Sequence, residues 1–157
     1  YKSKKLEIEE IVQLEEKNIR LLSFHPTNGK AYLNTELTNE LLVLDLNNFE
    51  IIKTYKLTEC VGSYSGGNAL SHDGKYLAIT LRGENCICLF ETKSNGLLNL
   101  LTKSICGKAP IDVIFMDDYL FVSCTDENAI VVYEIDNLNI KRVNELKVDQ
   151  PITFAMV

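Results

Sequence analysis

Short apolar runs alternate with short polar turns along almost the whole chain. The longest uninterrupted apolar runs, such as Ala129 to Tyr133, are only about five residues long, whereas a membrane-spanning helix needs about 20. The runs are rich in Val, Ile, Leu, Tyr and Phe, the residue types that favour β-strands. One ambiguous stretch, Glu7 to Lys17, mixes spacings of two and three residues, and we interpret it as an outer strand. The pattern therefore predicts an all-β protein.

The apolar runs repeat in a fixed order. Three stretches resemble one another, namely residues 21–45, 69–90 and 112–133. Equivalent positions lie 45 residues apart between Gly29 and Gly74, and again between Val43 and Cys88. Cys88 in turn lies 43 residues before Val131. A unit of about 45 residues therefore occurs three times, and such a period determines the architecture.

Turn chemistry divides each unit into four strands. Asn, Asp and Gly accept the positive φ that tight hairpin turns demand. We expect the first hairpin of each unit at such residues, namely Asn28-Gly29, Asp73-Gly74 and Asp117-Asp118. Further turns are expected at residues 38–39, 83–85 and 126–128, and near 47–48, 94–96 and 136–137. Four antiparallel strands per unit describe one blade of a β-propeller, and neither a β-sandwich nor a flat meander explains so regular a period.

The repeat predicts part of a single propeller domain over residues 1–157. Its units lie roughly at 18–60, 65–106 and 109–150, with partial strands at both ends, which makes about three and a half blades. Propellers close with about four to eight blades, so the remaining blades must come from the same full-length chain or from a second copy. The start at Tyr1 rather than Met favours the first source. We expect the 157-residue chain alone to be inactive or poorly soluble as a monomer, because an open stack exposes sheet edges.

Charge excludes some classes of partner. The chain carries 16 Lys and Arg against 22 Asp and Glu, a formal net charge of −6. A nucleic-acid or anionic-membrane surface would need a clustered positive field, so we expect neither partner. The start also lacks the apolar core of a signal peptide, since its lysines are followed by Leu-Glu-Ile-Glu-Glu.

The cysteines indicate a reducing, cytoplasmic setting. Their number is odd and they form no paired framework: Cys60, Cys86, Cys88, Cys106 and Cys124. We interpret most of them as small apolar core residues. Two of them, at positions 86 and 88, could share a metal from one face of a strand, but no second ligand pair completes such a site. We therefore expect no metal and no cofactor.

Four groups of segments carry motifs of a known family, namely residues 24–37, 71–77 with 81–83 and 87–90, 107–110 with 131–136, and 150–152. They resemble the lactonase family of seven-bladed β-propellers, which includes propeller-type 6-phosphogluconolactonases and carboxy-muconate cyclases. The resemblance spans nearly all of this chain and about the last half of such a protein. The chain departs from the family pattern in three places. Asn18-Ile19-Arg20-Leu21 replaces the usual Gly-Pro-Arg-His and keeps only the arginine, Leu81 replaces an Asn, and Ile111 replaces an Arg.

The resemblance implies an acid/base role for Glu36 and a substrate-binding role for Arg20 and Arg82. The sequence places Arg20 just before the innermost strand of the first unit and places Glu36 and Arg82 at the ends of second strands. Blade geometry brings the three together, because the connection into the innermost strand and the turn between strands two and three lie on the same rim. Arginine binds planar oxyanions bidentately and keeps its charge, and a carboxylate can act as a general base. We interpret His25 as capping its loop and His72 as incidental.

Two other motifs fail to indicate a site. Residues 62–66 miss the G-x-S-x-G nucleophile elbow, because Tyr64 holds the nucleophile position. The segment from Ser65 to Asn68 is glycine-rich but lacks the context of a phosphate-binding loop, and we interpret it as a flexible connection into the second blade.

Three functions remain open at this point. The first is a lactone hydrolase of the 6-phosphogluconolactonase type that acts on a sugar-acid lactone. The second is an isomerase similar to muconate cyclases, and the third is a non-catalytic propeller that binds a protein or a small anion. The partner expected for the first two is a small anionic lactone or acid.

Overall fold

Three four-stranded antiparallel sheets make up the fold. A computed structural model describes residues 11, 13–14, 18–136 and 139–155. In each sheet the strand order follows the chain, and the first strands of the three sheets lie side by side. This arrangement confirms the predicted β-propeller blades. Apart from residues 11, 13 and 14, which belong to no strand, the predicted outer strand from Glu7 to Lys17 lies outside the described residues.

The strands of each blade run from the innermost outward. Blade one contains β1 (Ile19–Phe24), β2 (Lys30–Thr35), β3 (Glu40–Asp45) and β4 (Glu50–Lys56). Blade two contains β5 (Ser65–Leu70), β6 (Tyr76–Leu81), β7 (Cys86–Thr92) and β8 (Leu98–Ile105). Blade three contains β9 (Pro110–Met116), β10 (Tyr119–Cys124), β11 (Ala129–Asp136) and β12 (Asn139–Lys147). Single 3₁₀ turns, Arg82–Glu84 and Thr125–Glu127, follow β6 and β10. Within the described residues no helix is long and apolar enough to cross a membrane.

The core lies between the blades, so the middle blade is buried on both faces. Along β7, Cys86, Cys88 and Phe90 pack with blade one, whereas Ile87 and Leu89 pack with blade three. This alternation follows from the two-residue period of a strand. Burying one large apolar side chain stabilises the fold by about 1.5–3 kcal/mol, and β7 contributes Phe90 to one interface and Ile87 and Leu89 to the other. The buried thiols therefore act as small apolar core residues, as expected.

The first hairpin of each blade occurs where the sequence predicts it, but those of blades one and two are wider than a tight turn. Of the turn predicted near 136–137, residue 137 lies outside the described residues. Five residues separate β1 from β2, and only Gly29 among them adopts positive φ (67°). The side chain of Asn28 instead accepts the Lys30 N–H (3.0 Å). His25 caps this loop as predicted, since its Nδ1 accepts the N–H groups of Thr27 (3.2 Å) and Asn28 (3.1 Å). In blade three the turn has two residues, and Asp117 takes the positive φ (52°).

The equivalent loop of blade two shows why an acidic residue suits this turn. The carboxylate of Asp73 accepts the Ser71 hydroxyl (2.6 Å) and the Lys75 N–H (2.9 Å). These bonds, with that from the Ser71 hydroxyl the largest contribution, lower the pKa of Asp73. The charged carboxylate therefore holds the two sides of the loop together.

An asparagine in the second turn of each blade connects that blade to the next. Asn39, Asn85 and Asn128 all adopt positive φ (51–52°). Their side-chain oxygens accept backbone N–H groups where the chain enters the next blade. The distances are 3.0 Å to Ser65 at the start of β5, 2.8 Å to Ala109 just before β9, and 3.1 Å to Gln150 just before the segment 151–155. The same contact therefore fixes the position of each successive blade.

The segment from Pro151 to Ala155 continues this pattern beyond blade three. The Ser123 hydroxyl donates to the Ile152 carbonyl (3.1 Å), just as the Thr80 hydroxyl donates to the Ile111 carbonyl (3.4 Å). Residues 151–155 thus lie beside blade three as β9 lies beside blade two, but they form no strand, so the partial strand expected at this end is wrong for these residues. Whether all the units belong to one propeller domain stays a prediction.

Candidate functional site

The register of the innermost strand of blade one breaks at a basic residue. Ile19 pairs with Thr35 and Leu21 pairs with Asn34, which leaves Arg20 as the extra residue of a β-bulge. A bulge locally disrupts the ladder and redirects a side chain. Arg20 therefore lies inside β1 rather than just before the innermost strand, where the sequence suggested it.

The same irregularity recurs in the other two innermost strands. In blade three, Pro110 pairs with Cys124 and Asp112 pairs with Ser123, so Ile111 is the extra residue. In blade two the break falls at Gly66 and Gly67. The three bulges thus occupy equivalent positions in their blades and lie at the same rim.

The rim holds a small pocket into which the three predicted site residues converge. Its volume is about 40 Å³, and it is lined by Arg20, Glu36, Tyr64, Ser65, Gly66, Arg82 and Ile111. Glu36 directly follows β2, and Arg82 directly follows β6. Among the described residues, no ion pair joins Glu36 to either arginine. The carboxylate and the two guanidinium groups are therefore not paired with one another.

Backbone hydrogen bonds hold the residues that carry these charges. The Glu36 N–H donates to the Asn18 carbonyl (2.8 Å), and the Arg82 N–H donates to the Tyr64 carbonyl (3.0 Å). Both bonds run between the end of a second strand and the chain that enters an innermost strand. The backbone positions of Glu36 and Arg82 are thus fixed relative to the bulges.

A buried network of amide side chains, which the sequence did not reveal, contacts the backbone near the bulges. Asn34 donates to the Ser65 hydroxyl (2.9 Å) and to the Gly66 carbonyl (2.8 Å). Asn68 donates to the Asn34 side-chain oxygen (2.6 Å) and accepts from the Ser23 hydroxyl. Buried amides that are fully paired give a rigid arrangement. The only signal in the sequence was a polar residue at a position of β2 that is expected to be buried.

The expectation of a flexible segment at Ser65 to Asn68 was wrong. These residues belong to β5 and are buried. Tyr64, which precedes them, adopts positive φ (49°), and its half-exposed side chain lines the pocket. The glycines serve close packing, because a Cβ on Gly66 would lie 2.4 Å from the Ile111 carbonyl oxygen.

A wider groove of about 630 Å³ runs along the innermost strands and shares Arg20 and Ile111 with the small pocket. The other charged residue of its lining is Asp112. The carboxylate of Asp112 accepts the hydroxyl of Thr153 (2.7 Å) and the N–H of Phe154 (3.1 Å). This carboxylate is therefore occupied in holding the segment that follows blade three. In the part of the chain that the structure describes, no three His, Cys, Asp or Glu side chains come together as metal ligands would.

The blades and the rim pocket define this chain as part of a β-propeller with a polar pocket at one rim. A family described as the seven-bladed β-propeller lactonases matches residues 2–156, and the chain belongs to that family. This finding confirms the resemblance seen in the sequence.

Several individual relatives are named 6-phosphogluconolactonases. The chain is 29% identical over 128 residues to the 6-phosphogluconolactonase of Bacillus subtilis strain 168, which covers 74% of this chain and 37% of that protein. A solved structure of a candidate 6-phosphogluconolactonase from Bacteroides uniformis is 28% identical with a TM-score of 0.84, covering 92% of this chain and 45% of the other. Its counterpart from Bacteroides fragilis is 27% identical with a TM-score of 0.80, covering 86% and 40%. The chain thus spans less than half the length of these relatives.

Proposed function

We propose that the protein to which this chain belongs hydrolyses lactones where the small rim pocket adjoins the wider groove, with the carbonyl group at the rim pocket and the rest of the lactone in the groove. The reaction is of the 6-phosphogluconolactonase type, in which a sugar-acid lactone is opened to its acid. The observation that carries the proposal is the convergence of Glu36, Arg20 and Arg82 in one pocket of a chain from the lactonase family.

Each side chain has a defined part in the proposed reaction. The guanidinium groups of Arg20 and Arg82 bind the carbonyl oxygen of the lactone and stabilise the negative charge that develops there. Glu36 accepts a proton from water while the water oxygen attacks the carbonyl carbon. The bond between that carbon and the ring oxygen then breaks, and the ring oxygen takes the proton back from Glu36. The products are a free hydroxyl group and a carboxylic acid, which releases its proton to solvent to become a carboxylate.

The placement of the charges favours an enzyme over a non-catalytic binding module. A binding rim for a protein partner would be flat and apolar, whereas this rim is concave and carries a carboxylate beside two cations. The amide network of Asn34 and Asn68 holds the site rigidly, as a preorganised catalytic site requires. We also propose a cytoplasmic setting and a small anionic lactone or acid as the ligand. The remaining blades of the propeller come from the same full-length chain or from a second copy.

Replacing Arg82 with Ala is expected to lower kcat/KM for lactone hydrolysis about 10- to 100-fold, because a charge-assisted hydrogen bond to the oxyanion is lost. The rate would be followed by titrating the acid that the native-length protein releases from glucono-δ-lactone. The matched control is Arg142→Ala, since Arg142 lies on the outermost strand of blade three and pairs with Glu127 (3.1 Å). Equal rates for both variants would contradict the assignment of Arg82. The absence of any lactone hydrolysis by the wild type would contradict the proposed function itself.

A further inference from the structure

The three bulges differ in the charge that they present to the site. Their equivalence is shown by the strand register, which slips opposite the end of the second strand in every blade. The carbonyl of Gly66 also accepts from Asn34 (2.8 Å), just as that of Ile111 accepts from Thr80 (3.4 Å). Blade one presents a guanidinium group at this position, blade two presents no side chain, and blade three presents an aliphatic side chain. Of the three equivalent positions, only that of blade one therefore carries a cation.

No side chain can be accommodated at the bulge of blade two. A Cβ on Gly66 would lie 2.4 Å from the Ile111 carbonyl oxygen and 2.5 Å from the Thr80 hydroxyl oxygen. The position in blade three, by contrast, faces open space, because Ile111 lines both the small pocket and the wider groove. A different side chain at position 111 can therefore be accommodated and can change the charge of the site.

The charges that line the two cavities cancel. Among the described residues of both linings, the charged ones are Arg20 and Arg82 against Glu36 and Asp112. Ring opening of an unphosphorylated lactone adds one negative charge, which two guanidinium groups can stabilise. A phosphate group adds a further charge of about −1.5 to −2 at neutral pH. In the wider groove, that phosphate would meet Arg20 together with the carboxylate of Asp112.

We propose that the site accepts unphosphorylated sugar-acid lactones and discriminates against phosphorylated ones, with Ile111 as the specificity-determining residue. This inference rests on the proposed function and narrows its substrate class. With a neutral aliphatic side chain at position 111, the described lining of the groove offers a phosphate group no cation besides Arg20, which the proposed reaction uses for the lactone carbonyl. A charged group that loses its water without gaining a partner of its own binds at a high cost.

Two lactones that differ only in the phosphate group provide the test, namely glucono-δ-lactone and 6-phosphoglucono-δ-lactone. The native-length wild type is expected to show at least about a 10-fold higher kcat/KM for the unphosphorylated lactone. Ile111→Arg is expected to shift the ratio of the two kcat/KM values at least about 10-fold toward the phosphorylated lactone, which corresponds to about 1.4 kcal/mol. Ile111→Met, which conserves size and neutrality, is expected to leave the ratio unchanged. A wild type that prefers the phosphorylated lactone, or equal ratios for the Arg and Met variants, would overturn the inference.

Binding of the product acids separates this inference from the proposed function. Calorimetric titration with gluconate and with 6-phosphogluconate measures the discrimination without any turnover. The inference is supported if the wild type binds gluconate more tightly than 6-phosphogluconate and only Ile111→Arg increases the affinity for 6-phosphogluconate. This holds even if neither lactone is hydrolysed. Tighter binding of 6-phosphogluconate by the wild type overturns it even if both lactones are hydrolysed.

Discussion

The variant Glu36→Gln is expected to hydrolyse glucono-δ-lactone about 100- to 10,000-fold more slowly than the wild type, the range that general-base catalysis contributes. Gln has nearly the size of Glu but cannot accept a proton from water. The backbone N–H of residue 36 still donates to the Asn18 carbonyl (2.8 Å) in the variant, so the site keeps its shape. The loss should therefore appear in kcat, with little change in KM or in the melting temperature.

Glu134→Gln is the matched control for this loss. Glu134 lies on β11 opposite Tyr119, next to the two-residue turn of blade three and away from the rim pocket. We expect this control variant to keep the wild-type rate. A Glu36→Gln variant that retained more than about a third of the wild-type rate would rule out Glu36 as the general base.

The variant Gly66→Ala is expected to destabilise the fold by about 3 kcal/mol, at the upper end of what overpacking of a close contact costs. The added methyl group would lie 2.4 Å from the Ile111 carbonyl oxygen, which is backbone and cannot move without displacing β9. Displacement of β9 would also separate Ile111 from Arg20 and open the pocket. Loss of stability and loss of activity should therefore occur together.

Thermal unfolding of the native-length variant would measure this effect against a control. In Gly29→Ala the new methyl group meets its nearest neighbour at 3.7 Å, and only the positive φ of 67° is unfavourable. That strain costs about 1–2 kcal/mol. A Gly66→Ala protein at least as stable as the Gly29→Ala protein would show that blades two and three do not approach so closely.

The sequence was sufficient to predict the blades because their two-residue periodicity and their turns recur about every 45 residues. It also indicated the common rim of Glu36 and Arg82, since both residues end a second strand. The position of Arg20 within the strand could not be foreseen, because a bulge depends on the register of two strands rather than on local composition. Similarly, the amide network pairs Asn34 with Asn68 across two blades, and the spacing of the two residues in the sequence does not indicate that contact.

The glycine-rich start of blade two shows why composition alone misled. Gly66 and Gly67 suggest flexibility when they are considered in isolation. In the fold they are buried in β5, because Ile111 and Asp112 of the neighbouring strand approach their Cα atoms too closely for any side chain. The constraint comes from a strand more than forty residues later in the chain, and only the assembled blades reveal it.

A crystal structure of native-length Glu36→Gln soaked with glucono-δ-lactone would test the central claim most directly. We predict that the lactone lies in the wider groove with its carbonyl group at the rim pocket, so that the carbonyl oxygen is within hydrogen-bond distance of the guanidinium groups of Arg20 and Arg82. The side chain at position 36 should face the carbonyl carbon across the space for one water molecule. A lactone bound in another cavity, with the rim pocket empty, would contradict the account.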